Sequence, residues 1–166
     1  MSVAVRHAER RDLEAITALY NHFVETTAVT FDVGAFTAAE REPWFAQFAK
    51  AGPHQLFVAE MDGAFAGYAG SMAFKPKKAY STSVETTVYV PPEIGGRGVG
   101  RALYERLFSA LAGEDVHRAY AGIALPNDAS IRFHQRFGFK EIGTYREVGR
   151  KFGRYHDVTW FEKGLP

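Results

Sequence analysis

Residues 95–100 read Gly-Gly-Arg-Gly-Val-Gly, and they join a β-branched, aromatic segment (Val84–Val90) to a helical one (Arg101–Leu111). A strand, a glycine-rich turn and a helix in that order suit an anion. The first N–H groups of a helix lack intrahelical acceptors, and the helix dipole places positive potential at the same end. Glycine permits positive φ and lets the backbone approach a phosphate closely. Two familiar phosphate loops do not fit. A dinucleotide fingerprint begun at Gly96 and Gly98 requires glycine at Arg101, and one begun at Gly98 and Gly100 requires it at Leu103. A Walker loop ends in Lys-Ser or Lys-Thr, and neither pair occurs here. Taken alone, the glycines fit a phosphate cradle or a merely tight connection about equally well.

Three further groups carry chemistry. Glu85 sits inside the apolar strand, where burial disfavours the carboxylate and moves its pKa towards that of a general base; the plainer reading is an exposed alternate position on a half-buried strand. Lys75 and Lys77 flank Pro76 in a basic loop, either a solvated charge run or a pair of cations for an acidic ligand. His134 lies among Phe133 and Phe137, as a packed ring or as a proton carrier. The remaining histidines (His7, His22, His54, His117 and His156) show no ligand spacing, so no metal is expected. The chain has no cysteine, which excludes disulfides, thiolate metal sites and a Cys nucleophile. His156-Asp157 invites a triad with Ser81 or Ser83, but no nucleophile-elbow pattern accompanies it.

The elements that position these residues follow from hydrophobic period. With 166 residues, 46% of them apolar and 23% charged, the chain is expected to form one domain over 1–166. A net charge of +1 offers nothing to nucleic acid or an anionic membrane. The first twelve residues are polar and no long apolar run occurs, so a cytoplasmic protein is expected. Val3–Arg6 reads as a strand. Leu13, Ile16, Tyr20 and Phe23 mark a helix from Asp12. A second helix is predicted over Ala38–Lys50, ended by Gly52-Pro53. Leu56–Met61 and Ala64–Phe74 form strands around an Asp62-Gly63 turn. Pro91-Pro92 stops the Val84–Val90 strand. Beyond the glycine turn, Val99, Ala102, Leu103, Leu107, Ala110 and Leu111 share one helix face. Arg118–Leu125 is the next strand, and Asn127–Ser130 supplies N-cap chemistry for a short helix ending near Phe137-Gly138. Strands near Phe139–Glu147 and His156–Glu162 complete the chain. The fold class is α/β (α+β in some schemes), with a mixed central sheet of six to seven strands and about four helices.

Gly98-Val99-Gly100 supplies the second half of the pyrophosphate motif Gln/Arg-x-x-Gly-x-Gly/Ala, and in this the chain resembles the GNAT acetyltransferase superfamily. Gly95 departs from the motif, standing where Gln or Arg is usual and removing one side-chain contact. Within the superfamily the chain is similar to the phosphinothricin and methionine sulfoximine acetyltransferases. The matching segments are Asn21–Thr26, Lys75–Tyr80, Glu85–Val90, Leu125–Asp128 and Tyr155–Val158.

The resemblance implies that the strand ending Val88-Tyr89-Val90 splays from Arg118–Leu125 and receives the pantetheine arm of acetyl-CoA, the co-substrate. It places acetyl-CoA against Val88, Tyr89 and Val90, against the turn Gly96, Arg97, Gly98, Val99, Gly100 and Arg101, and against Asn127. A backbone N–H near Tyr89 would polarise the thioester carbonyl. Glu85 becomes the base, directly or through one water, and His134 the donor or relay for the thiolate's proton. Lys75, Pro76 and Lys77 would face the acidic groups of the substrate, with Phe31, Thr86 and Thr87 lining the same pocket. The implied reaction is direct acetyl transfer, without an acyl-enzyme, to the α-amine of phosphinothricin, methionine sulfoximine or methionine sulfone, with resistance to such compounds as a consequence. A homodimer is implied as well. Two alternatives stay open: transfer to another amine (a peptide N-terminus, polyamine or aminoglycoside), or a non-catalytic acyl-CoA-binding regulator. The basic loop argues against polycations.

Overall fold

The computed structural model describes residues 2–166. Its strands are β1 (Val3–His7), β2 (Leu56–Met61), β3 (Ala64–Ala73), β4 (Ser83–Tyr89), β5 (Arg118–Ala124), β6 (Lys140–Lys151) and β7 (Arg154–Gly164). Its helices are α1 (Leu13–Thr26), α2 (Glu42–Phe45), α3 (Val99–Leu111) and α4 (Asp128–Arg136). The strands form one mixed sheet in the order β1-β2-β3-β4-β5-β7-β6. Every neighbouring pair is antiparallel except β4 and β5, which run parallel because α3 carries the chain across between them. No helix among the described residues is long and apolar enough to cross a membrane.

Alternation along β2 shows how the layers stack. Phe57 and Ala59 join one buried cluster with Val99, Leu103, Tyr104, Leu107 and Leu111 of α3. Leu56 and Val58 join a second cluster with Ile16 and Leu19 of α1 and Tyr68 of β3. Successive strand residues face opposite sides of a sheet, so α3 and α1 cover opposite faces. The α3 residues recur at three- and four-residue spacing, and full burial of each leucine contributes about 2 kcal/mol.

Two expectations are corrected. The predicted helix over Ala38–Lys50 is instead a 3-10 turn (Ala39–Arg41) followed by the single turn of α2, and residues 46–55 are irregular. Trp44, Phe45 and Phe48 still pack on the Tyr68 cluster, so the apolar spacing reports burial rather than a continuous helix. The last two strands are also longer than their period indicates. Residues 140–151 and 154–164 pair up to Lys151↔Arg154, around a two-residue turn in which Phe152 (φ 54°) and Gly153 (φ 71°) are both left-handed. That is the backbone of a primed hairpin turn.

Candidate active site

The parallel pairing of β4 with β5 covers three rungs, Ser83↔Arg118, Val84↔Ala119 and Glu85↔Tyr120. β4 remains paired to β3 up to Tyr68↔Tyr89, and β5 remains paired to β7 up to Ala124↔Val158. Beyond Glu85 the two strands therefore part, each held on its outer side. Gly67 of β3 (φ 137°) helps this: a Cβ there would fall 2.6 Å from the Tyr89 carbonyl oxygen, so only glycine lets β3 come this close to the end of β4. The gap opens a cleft with Thr86 to Val90 on one wall and Ala121 to Ala124 on the other. Their facing backbone groups have no ladder partner across it.

The glycine turn follows the end of β4, and Gly100 sits beside Val90, which lines the cleft. Gly96 (φ 78°) and Gly98 (φ 85°) are left-handed, and Gly98 is the N-cap of α3. Residues 95–98 are exposed, while Val99 is fully buried and anchors the helix start. The exposed turn thus lies at the positive end of a 13-residue helix. Gly100 has a packing reason too, since a Cβ would stand 3.4 Å from the ring of Phe133 on α4. Arg97 is exposed, and Arg101 pairs along the helix with Glu105 at 2.6 Å. Asn127 lines the cleft and caps α4, its Oδ1 accepting from Ser130 N–H at 3.2 Å. Gly95 has an ordinary φ of −58°, so no backbone strain requires glycine there.

Glu85 stands at the fork itself, half-buried, and burial raises its carboxyl above the usual carboxylate range. It faces away from α3 into a second cavity, walled by Tyr20, Arg41, Trp44, Tyr68 and Tyr89. Thr86, Thr87, Tyr89 and Gly122 border both this cavity and the cleft, so the two meet beside Glu85. Asp32 also lines the second cavity and accepts a hydrogen bond from the Tyr20 hydroxyl. Burial is the main reason the Tyr89 phenol is pushed up to about 12, which keeps it protonated.

Phe31 borders an adjoining hollow together with Glu85. Its ring lies on Gly149, where a Cβ would come within 2.2 Å. Lys151 Nζ donates to the Thr30 carbonyl at 2.9 Å. Together these contacts fasten the loop after α1 to the β6–β7 hairpin.

Lys75, Pro76 and Lys77 are exposed and line neither of the hollows that Glu85 borders. Lys75 lies over the rings of Phe74 and Tyr80, 5.4 Å from each centroid. It edges a separate hollow with Tyr120 and Trp160. The loop follows the end of β3 that pairs with the start of β4 (Ala73↔Val84), one rung before Glu85.

His134 is 5% exposed and lines the cleft from α4. Its Nδ1 lies 2.8 Å from the Ser130 carbonyl oxygen, an acceptor only, so Nδ1 carries the proton. Nε2 is then an acceptor, and the Tyr104 hydroxyl lies 2.9 Å away. The same hydroxyl is 3.1 Å from Thr86 Oγ1. Burial lowers the His134 pKa and favours the neutral ring. Tyr104 and Arg41 escaped the sequence reading. The signal for Tyr104 was a polar-tipped residue on the buried face of α3. For Arg41 it was the three-residue spacing to Trp44. His156 bonds to the Lys151 carbonyl at 3.1 Å, and Asp157 is taken by Arg146 at 3.1 Å, so these two do not form a relay with each other.

The chain is similar to known proteins along nearly its whole length. The model of the acetyltransferase (GNAT) domain matches residues 5–160. A phosphinothricin N-acetyltransferase of Streptomyces coelicolor is 56% identical over 165 residues, covering 98% of this chain and 96% of that protein. An L-methionine sulfoximine/L-methionine sulfone acetyltransferase of Pseudomonas paraeruginosa is 33% identical, covering 99% and 96% respectively. The crystal structure of a GNAT superfamily phosphinothricin acetyltransferase from Sinorhizobium meliloti in complex with acetyl-CoA superposes with a TM-score of 0.93 at 30% identity, covering 99% of this chain and 89% of that one. Alike to these proteins along nearly its whole length, the chain belongs to the GNAT acetyltransferase family as an N-acetyltransferase.

Proposed function

We propose that this enzyme transfers an acetyl group from acetyl-CoA directly to the α-amine of a small amino-acid analogue of the phosphinothricin, methionine sulfoximine or methionine sulfone type. The observation that carries this reading is the loss of β4–β5 pairing beyond Glu85, which puts a half-buried carboxylate between a cofactor-shaped cleft and an aromatic cavity. The residues present fit acetyl-CoA. The left-handed turn at Gly96 and Gly98 and the start of α3 up to Arg101 suit a diphosphate, the unpaired edge at Val88, Tyr89 and Val90 suits an amide-bearing arm, and Asn127 stands opposite. When bound, the cofactor supplies a thioester, an acyl group activated towards amines.

The chain's own residues do the rest. An α-ammonium titrates near about 8, and Glu85, made more basic by burial, accepts its proton at the cleft boundary. A backbone N–H at the Tyr89 end of β4 is placed to donate to the carbonyl oxygen as charge develops there. As the C–N bond forms and the C–S bond breaks, the thiolate takes a proton. Tyr104 and His134 line the cleft and share a hydrogen bond, so the hydroxyl of Tyr104 delivers that proton and regains one from solvent, into which Glu85 releases the proton it took from the amine. Phe31, Thr86 and Thr87 shape the acceptor side. Exposed Ile142, Tyr145 and Val148 on β6 favour a homodimer.

The test is thiol release from acetyl-CoA with a panel of these amino-acid analogues beside a polyamine, an aminoglycoside and a peptide N-terminus. Turnover with an analogue and none with the polyamine or aminoglycoside is expected. Acetyl-CoA binding without thiol release for any amine would replace the reading with that of a non-catalytic regulator.

A further inference from the structure

One buried charge is left over by the reaction just described. Arg41 ends the 3-10 turn before α2, is 7% exposed, and lines the acceptor cavity. Its guanidinium carbon lies 4.0 Å from the ring centroid of Trp44 and 4.3 Å from that of Tyr20. Among the described residues it forms no ion pair, and its Nε is buried without a hydrogen-bond partner. The Tyr68 side chain makes a polar contact with it. A guanidinium does not lose its charge under any ordinary condition. Ring faces offset part of the cost of burying it, yet they leave N–H donors without acceptors. A buried guanidinium with an unpartnered N–H beside a cavity suits an anionic ligand.

We propose that Arg41 is the anion anchor of the acceptor cavity, receiving the α-carboxylate of the amino-acid substrate while the amine faces Glu85. The assignment rests on the acetyl-transfer reading and deepens it by naming the residue that selects amino acids over simple amines. Charge inventory favours it. One cation (Arg41) and two acids (Asp32 and Glu85) line the cavity, a complement to a zwitterion rather than to a lone cation or a lone anion. Guanidinium geometry matches a carboxylate in a fork of two parallel hydrogen bonds. Lys75 and Lys77, the cations to which the resemblance points, are exposed and outside this cavity.

Calorimetric titration of L-methionine sulfone and its carboxamide into the parent enzyme, R41M and R41K, each checked by thermal melting, tests the assignment without requiring turnover. The parent is expected to bind the carboxylate at least about tenfold more tightly than the carboxamide. R41M should lose about 30-fold on the carboxylate and little on the carboxamide, erasing the preference. R41K, which keeps the charge but not the fork, should retain a weaker preference and covers the case of a poorly folded R41M. Equal losses on both ligands, or no preference in the parent, would overturn the role of Arg41 and assign it to packing alone. Preferential binding of the carboxylate without thiol release would instead overturn acetyl transfer while keeping Arg41 as the anchor.

Discussion

Glu85 and Tyr120 form the last rung that β4 and β5 share, and the carboxylate of the pair borders the aromatic cavity where the strands separate. The position joins two requirements. The rung fixes the backbone of Glu85, and the gap beyond it gives the neighbouring cleft its depth. Burial raises the Glu85 pKa, so the group is a stronger base than an exposed carboxylate and still ionises as pH rises.

Replacing that carboxylate separates chemistry from binding. Glu85→Gln should lower kcat by about 10²- to 10⁴-fold while leaving the Kd for acetyl-CoA nearly unchanged. In the parent, kcat/KM should fall on the acid side through a value above the ordinary carboxylate range, because the base works only when deprotonated. The variant should lose that limb. Steady-state kinetics across pH, with calorimetry for the cofactor, checks both.

The same shift carries a stability cost of known sign. A carboxyl whose folded pKa is raised contributes stability at low pH and loses it as pH rises through the folded value. Glu85→Gln should therefore melt above the parent at pH 8, with the difference closing near pH 4. A variant that melts lower at pH 8 would mean that Glu85 holds a structural partner.

The polar chain behind the cleft responds in the opposite direction. Tyr104→Phe removes the hydroxyl between Thr86 and His134 and leaves His134 Nε2 buried without a partner, at a cost of about 1–3 kcal/mol. A lowered histidine pKa gives stability that is complete above about pH 6.5 and is lost as pH falls through the folded value. His134→Gln should flatten that acid-side decline in Tm, which melting curves between pH 4 and 8 will show.

Two glycines should divide the site between its ligands. Gly98→Val forces a β-branched residue into φ 85° at the N-cap and crowds the N–H groups, so KM for acetyl-CoA should rise at least about tenfold. Gly149→Ala drives a methyl group against the Phe31 ring and displaces the loop walling the acceptor side. Its effect should fall on KM for the amine, with acetyl-CoA little changed. Initial rates with each substrate varied in turn distinguish the two.

Much of this arrangement was legible because local signals agreed with tertiary demands. The Asp62-Gly63 turn framed β2, which the structure places over the same residues, Leu56–Met61. The glycine turn announced a helix, and Gly98 is the N-cap of α3, where its left-handed φ favours glycine. Where tertiary packing overrode local pattern, the reading failed. Trp44, Phe45 and Phe48 have helical spacing, yet Pro43 lies in a single helical turn and the aromatic rings find Tyr68 without a longer helix. The ends of β6 and β7, rich in Gly, Arg and Lys, look like loop, and Phe152-Gly153 lacks the Asn-Gly signature of the turn it makes. The charge partnerships of the site were the least visible. Nothing in residues 75–77 discloses that Lys75 lines a hollow apart from that of Arg41, and the burial of Arg41 needs Tyr20 of α1 as well as its neighbour Trp44, a contact between segments that spacing alone does not encode.

The most direct test of the account is a crystal structure with coenzyme A and an amino-acid analogue bound together. The account predicts the diphosphate on the amides of residues 96–101, the sulfur between β4 and β5 beyond the Glu85–Tyr120 rung, and the analogue's amine facing Glu85. A coenzyme bound elsewhere, or a sulfur directed away from the fork, would contradict it.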